Sequence, residues 1–424
     1  MREIIWNEEN EVYTYGFIAQ LMVTKPPSIP CIFSQLQKFD ITLNQPPMFY
    51  SPTTSPLGFV AAILSPTVSS LHLTLPKFNS AAFEEASMLL NDLPAYCPQA
   101  KSIEYTYSSW SERPEADKDL LRVILRGWKN VTSITLNESN FQCHHLTLLS
   151  ELSDLSKLVC TDDIPPEAVP VGVVCNGSFS SLTTISLNFS KAETAITFLQ
   201  LIHLADLRVL HIGLPDNASS EELISITNSI SKMSGTLLDL HLRAAFLAYE
   251  NVLGISDCYR LKTLRCSINC GNANIDHLAQ HLPNLENLDL HKTDFLHIRR
   301  AWCKLDLTCM VSLARYCKKL KRVVLTLDPN RIIPQSWGSL PFPHLEELQI
   351  FYDEVHYPNE LAVFLSMISL TTLRITGPPY DFFDGDEEPS WTEMRKLVPL
   401  LQFVRAQERR SATAILVKAN ETEK

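Results

Sequence analysis

One phrase, Leu-x-x-Leu-x-Leu or a near copy of it, recurs down almost the whole of this chain. Its clearest copies are Leu207-Arg-Val-Leu-His-Ile212, Leu285-Glu-Asn-Leu-Asp-Leu290, Leu345-Glu-Glu-Leu-Gln-Ile350 and Leu370-Thr-Thr-Leu-Arg-Ile375. The last two start 25 residues apart, inside the roughly 20–29-residue period of leucine-rich repeats. Degenerate copies begin at Leu36, Val68, Ala100, Val131, Leu155, Leu182, Leu237, Leu261 and Leu320, which brings the total to thirteen. Apolar residues at i and i+2 turn one face of a short strand inward, and the earlier Leu anchors the turn that enters it. The expected fold is α/β: a leucine-rich-repeat solenoid with a curved parallel sheet on its concave face and helices on its convex face. A solenoid of this kind offers a long binding surface, and the chain is expected to be non-catalytic.

Between the strands, Ala82–Leu90, Glu221–Ile226 and Glu360–Leu365 carry apolar residues at three- and four-residue intervals and are predicted to be helical. Ser219 and Ser220 stand where an N-cap would, with Glu221 and Glu222 in the first turn. Residues 1–35 are expected to form an N-terminal segment or cap, 36–376 the solenoid of about thirteen units, and 377–390 an acidic aromatic loop. Residues 391–424 are predicted to hold a capping helix and tail, with Leu397, Leu400, Leu401 and Val404 on its apolar stripe and Pro399 as a bend.

The chain is 424 residues long, and 45% of them are hydrophobic, enough for a large interior. A formal net charge of −11 argues against a nucleic-acid partner, which would need a basic stripe. No apolar run reaches the roughly 18 residues that cross a bilayer, so no membrane partner is expected. The opening Met1-Arg-Glu-Ile-Ile-Trp-Asn-Glu-Glu places acids where a secretory signal would be apolar. Eleven Cys without a framework suit a reducing compartment, cytoplasmic or nuclear.

Cys266, Cys270, His277 and His281 form Cys-x3-Cys-x6-His-x3-His, with a central gap shorter than the roughly 12 residues of a usual zinc finger. Cys266 is also needed as an inward strand position, so no metal and no cofactor is expected. Asp384-Gly-Asp-Glu-Glu388 lacks the ligand order of a calcium loop and is expected to be solvated. Residues 44–66, 161–178, 291–307 and 376–390 interrupt the rhythm and are predicted to be loops. Beside the acids of the last one, Tyr380, Phe382 and Phe383 are candidates for docking a protein partner.

In each phrase the residue between the two final apolar positions points out of the sheet. That column reads Asp40, His72, Glu104, Thr135, Val159, Ser186, His211, His241, Arg265, Asp289, Val324, Gln349 and Arg374. His211, His241, Arg265 and Asp289, with Arg243 and His291 alongside, are the candidate protein-binding residues of the concave face.

The degenerate units from Leu36 to Ile375, the interposed helices, the Pro-rich loops and the acidic aromatic loop before a final helix resemble the leucine-rich-repeat region of fungal F-box/LRR-type proteins. The resemblance implies a substrate receptor: an N-terminal F-box binds the adaptor of a cullin-type ubiquitin ligase, and the repeats hold the substrate. The residues before Leu36 carry no Leu-Pro F-box signature. The alternative expectation is therefore a stand-alone interaction or inhibitor scaffold of the same fold.

Overall fold

The computed structural model describes residues 3–7, 33–42, 64–75, 90–107, 122, 124–137, 143–169, 179–202, 206–291, 305–331, 342–351, 355–368, 373–376 and 389–422. The chain divides into two compact units, Met1–Gly213 and Leu214–Lys424. In the first, strands β1 (Glu3–Asn7), β2 (Lys38–Thr42), β3 (Ser70–Leu75), β4 (Ser102–Tyr107), β5 (Ser133–Asn137), β6 (Lys157–Ile164), β7 (Thr184–Phe189) and β8 (Val209–Gly213) pair in parallel, each with the next in chain order. Helices α1 (Cys143–Ser150) and α2 (Ala192–Leu201) lie in its connections.

The second unit repeats the plan with β9 (Asp239–Ala248), β10 (Thr263–Asn269), β11 (Asn287–Leu290), β12 (Arg322–Thr326), β13 (Glu347–Phe351) and β14 (Arg374–Thr376). Its helices are α3 (Ser220–Ser231), α4 (Asn272–His281), α5 (Thr308–Tyr316), α6 (Pro358–Ile368) and α7 (Pro389–Thr422). Unbroken parallel pairing in chain order, with helices between strands, is the leucine-rich-repeat plan. Among the described residues no helix is long and apolar enough to cross a membrane.

Strands β2 to β14 fall on the thirteen phrases; β1 is an addition. Its sequence, Glu-Ile-Ile-Trp-Asn, has no anchoring Leu ahead of it, yet it pairs in register with β2, Glu3 opposite Lys38 and Asn7 opposite Thr42.

One bond pattern recurs within each unit. The carbonyl of the second residue of a phrase accepts two N–H groups from the next strand, as Leu238 does from Lys262 at 2.8 Å and Thr263 at 3.0 Å. Where that second residue is Ser or Thr, its hydroxyl donates to the same carbonyl row: Thr132 to Lys101 at 3.2 Å, Ser156 to Thr132 at 2.9 Å and Thr183 to Ser156 at 3.1 Å. Backbone polarity that would otherwise be stranded at the sheet margin is thereby satisfied.

Alternation does the rest. In β7, Ile185, Leu187 and Phe189 are buried while Thr184, Ser186 and Asn188 stay half-exposed. The phrase-opening residues Leu36, Leu155, Leu207, Leu261 and Leu320 are all buried below the sheet. Fully burying a Leu contributes about 1.5–3 kcal/mol, so a column of such residues is the main stabilising term.

Two features differ from expectation. Residues 161–164, expected to begin a loop, continue β6 past a register shift between Cys160 and Asp163, before a short 3-10 turn at Pro166–Ala168. A bulge lets the strand resume pairing even though Asp162-Asp163 reads as a loop. On α7, the stripe of Leu397, Leu400, Leu401 and Val404 does not face the core. Trp391, Met394 and Val398 do, and Leu400 is 64% exposed. Both sets have helical spacing; α7 packs on α6, and burial of the large indole selects the second. Pro399 lies inside this helix without ending it. Of the expected helix at 82–90 only Leu90 is among the described residues, and the helix runs on through residue 96.

Candidate functional site

The face of each sheet opposite the helices carries the outward side chains. In the first unit the central column is in register as expected: Asp40 beside His72, His72 beside Glu104, then Thr135, Val159, Ser186 and His211. His72 Nδ1 meets Asp40 Oδ2 at 2.9 Å, and its Nε2 lies 3.4 Å from Thr74 Oγ1 and 3.9 Å from Glu104 Oε1. Asn137 donates to Glu104 Oε1 at 3.2 Å and to Thr106 Oγ1 at 3.2 Å, and accepts from Thr161 Oγ1 at 3.2 Å. A connected polar ladder thus runs across β2 to β6. Asp40 Oδ1 is buried without a hydrogen-bond partner among the described residues. Thr74, Thr106, Asn137 and Thr161 were not singled out by sequence reasoning, although each lies two residues beyond its column residue or shares its row, the spacing that returns a strand to the same face.

In the second unit, His241 of β9 is opposite Arg265 of β10, which is opposite Asp289 of β11. His241 is half-exposed, Arg243 and Arg265 are exposed, and Asp289 and His291 are half-buried. His291 Nδ1 bonds Asp289 Oδ1, and its ring stacks on Phe351 with centroids 5.1 Å apart. Arg243 lies where β9 leaves register, and its carbonyl accepts from Leu214 N at 2.7 Å. His211 belongs to the first unit, on β8, half-exposed in its column. Tyr380, Phe382 and Phe383 lie outside the described residues.

Two members of the expected column behave differently. Val324 is buried although its position is outward. Arg374 is opposite Glu347, and Thr376 is the residue opposite Gln349. Strand β14 has slipped by two residues, a shift that keeps every side chain on its own face and therefore leaves no trace in the hydrophobic pattern.

A second charged row, also missed, edges this face. Glu286 takes Lys262 Nζ at 3.1 Å and Lys321 Nζ at 2.8 Å. Hydrogen bonds from Lys321 and then Lys262 hold its carboxyl below the usual range, and Glu286 in turn raises Lys321. Arg322 Nε lies 3.1 Å from Glu347 Oε2 without hydrogen-bond alignment, so this contact counts as an ion pair alone. The alternation Lys262, Glu286, Lys321, Glu346 reads directly from the second position of successive phrases.

The Cys266, Cys270, His277 and His281 set is used for packing. Cys266 and Cys270 are buried at β10 and just beyond it. His277 Nδ1 bonds Tyr249 OH at 2.6 Å and stacks on His281 at 4.2 Å, while His281 Nδ1 bonds the His277 carbonyl at 2.8 Å. Burial, with smaller contributions from Cys270 and Glu250, pushes the Tyr249 phenol up to about 12. Among the described residues no three His, Cys, Asp or Glu side chains converge as a metal site.

Parallel strands paired in chain order, Leu-x-x-Leu-x-Leu residues on the buried face and helices in the connections define the architecture. The fold is a leucine-rich-repeat fold. No family model and no curated protein sequence matches the chain. Among solved structures it is similar to a chain in the crystal structure of the Rad7 and Elc1 complex in yeast, with 12% identity and a TM-score of 0.48 over 75% of this chain and 78% of that one.

Proposed function

We propose that this chain is a non-catalytic leucine-rich-repeat protein that holds another protein against the open face of its sheet. The observation that carries the reading is the contrast between the two faces of the strands. One is packed with Leu, Ile and Val; the other presents half-exposed His, Asp, Glu, Arg, Ser, Thr and Asn side chains in register. Rows of rigidly spaced donors and acceptors suit an extended protein surface, because the strands that carry them do not have to be ordered on binding.

Within that reading, the sequence resemblance to F-box/LRR-type proteins favours a substrate-receptor role in a cullin-type ubiquitin ligase, in the cytoplasm or nucleus. A stand-alone scaffold of the same fold is the competing arrangement. Affinity capture of the tagged chain from its native cells, followed by mass spectrometry, separates them. Recovery of a cullin with its adaptor is the result expected for a ligase receptor. Stable protein partners without a cullin would contradict the ligase role and leave the binding role. Failure of any captured protein to respond to Ser186→Arg or Gln349→Arg, which place bulk and charge on the open face, would contradict the binding role itself.

A further inference from the structure

On the open face of the second unit three acids are already engaged. Glu286 is held by Lys262 and Lys321, Glu347 by Arg322, and Asp289 by His291. Arg265 differs. It is exposed at the centre of β10, with His241 on one neighbouring strand and Asp289 on the other, and no hydrogen bond or ion pair joins its side chain to any described residue. Arg243, also exposed, stands two residues beyond His241 on β9. The charges presented outward by β9 and β10 are thus Asp239, Arg243 and Arg265, a net positive, in a chain whose formal net charge is −11.

Resting on the proposed role of this face, we infer that β9 and β10 recognise an acidic segment of the partner protein, with Arg265 anchoring an Asp or Glu carboxylate. The guanidinium fork matches a carboxylate with two parallel N–H···O bonds, which a Lys could not reproduce. Strands hold the Arg265 backbone fixed, so the contact orders one side chain and no backbone. Arg243 and His241 flank the anchor. A basic segment would meet like charge here, which selects against it.

The test is fluorescence anisotropy of the full chain with labelled decaglutamate and decalysine peptides. Decaglutamate is expected to bind and to weaken as ionic strength rises from roughly 0.05 to 0.5 M, and decalysine is not. Arg265→Glu should weaken the acidic peptide at least about tenfold, and Arg265→Lys should weaken it less, since it keeps charge without the fork. Circular dichroism of each variant checks the fold. Equal binding of both peptides, an Arg265→Glu variant that binds decaglutamate normally, or binding of a phosphoserine peptide but not decaglutamate would overturn the carboxylate assignment. A captured partner released by Gln349→Arg yet retained by Arg265→Glu would overturn this inference while leaving the open-face role intact.

Discussion

Buried thiols take the place of an apolar residue at the turn entering several strands and also close a polar gap. Cys97 donates to Leu93 O at 3.0 Å, and Cys317 to Leu282 O at 3.5 Å. Burial pushes the Cys97, Cys258 and Cys317 thiols up to about 12 from 9.0. A thiol reacts as its thiolate, so in the folded chain at pH 8 these three should resist iodoacetamide and should react at once in guanidinium. Rapid native-state labelling would contradict this. The same shift sets a pH dependence. The folded state holds these protons more tightly than the unfolded one, so the stability they contribute is complete below about pH 9 and declines as pH rises toward 12. Trp391 is the opposite case: it is 2% exposed, and its Nε1–H is buried without a partner among the described residues. Leaving that donor unpaired costs about 1–3 kcal/mol. Trp391→Phe, which removes the donor and keeps a ring, should therefore cost far less in urea unfolding than Trp391→Ala, for which about 3–5 kcal/mol is expected. Equal losses would mean that the indole N–H is satisfied after all.

At the scale of elements, helix α3 and the 3-10 segment Tyr249–Asp257 form a close-packed joint. Thr227 Oγ1 donates to Asn251 O at 2.7 Å, and a Cβ on Gly254 would sit 2.8 Å from Thr227 O. That contact is with backbone, so Gly254→Ala must move the segment and should cost about 1–3 kcal/mol, read as a lower urea midpoint. An unchanged midpoint would show that the joint is loose. Helix α3 begins at a capping box in which Glu222 N donates to Ser219 Oγ at 3.3 Å and Ser219 N to Glu222 Oε2 at 2.7 Å. That start was legible because a Ser followed three residues later by Glu satisfies two orphan N–H groups within one turn. The strands were legible for a similar reason: the i, i+2 pattern of Leu210 and Ile212, or Leu288 and Leu290, states which face is buried. What could not be read is whatever leaves that pattern unchanged. Strand β14 slips by two residues, β1 pairs without an anchoring Leu, and α7 offers two stripes of equal spacing between which only packing decides. The column of site residues was legible from spacing, but not which members are engaged. The pairing of Asp289 with His291 and the lone position of Arg265 depend on rotamers that spacing does not specify.

At the scale of the whole molecule, the histidines form a built-in map of the proposed binding face. His72, His211, His241 and His291 stand on the open side of the strands, half-exposed in every case. His281 is at the end of α4, and His344 and His356 are exposed in connections. A protein seated on the open face of either unit must cover histidines of the first set and leave the second in solvent. Diethylpyrocarbonate labelling of the chain, alone and with its captured partner, reads both sets by mass spectrometry in one experiment. The expected result is that modification of His72, His211, His241 or His291 falls on partner binding, while His281, His344 and His356 label as before. Loss of labelling confined to His281, His344 and His356 would contradict it, by putting the partner on the helices and connections.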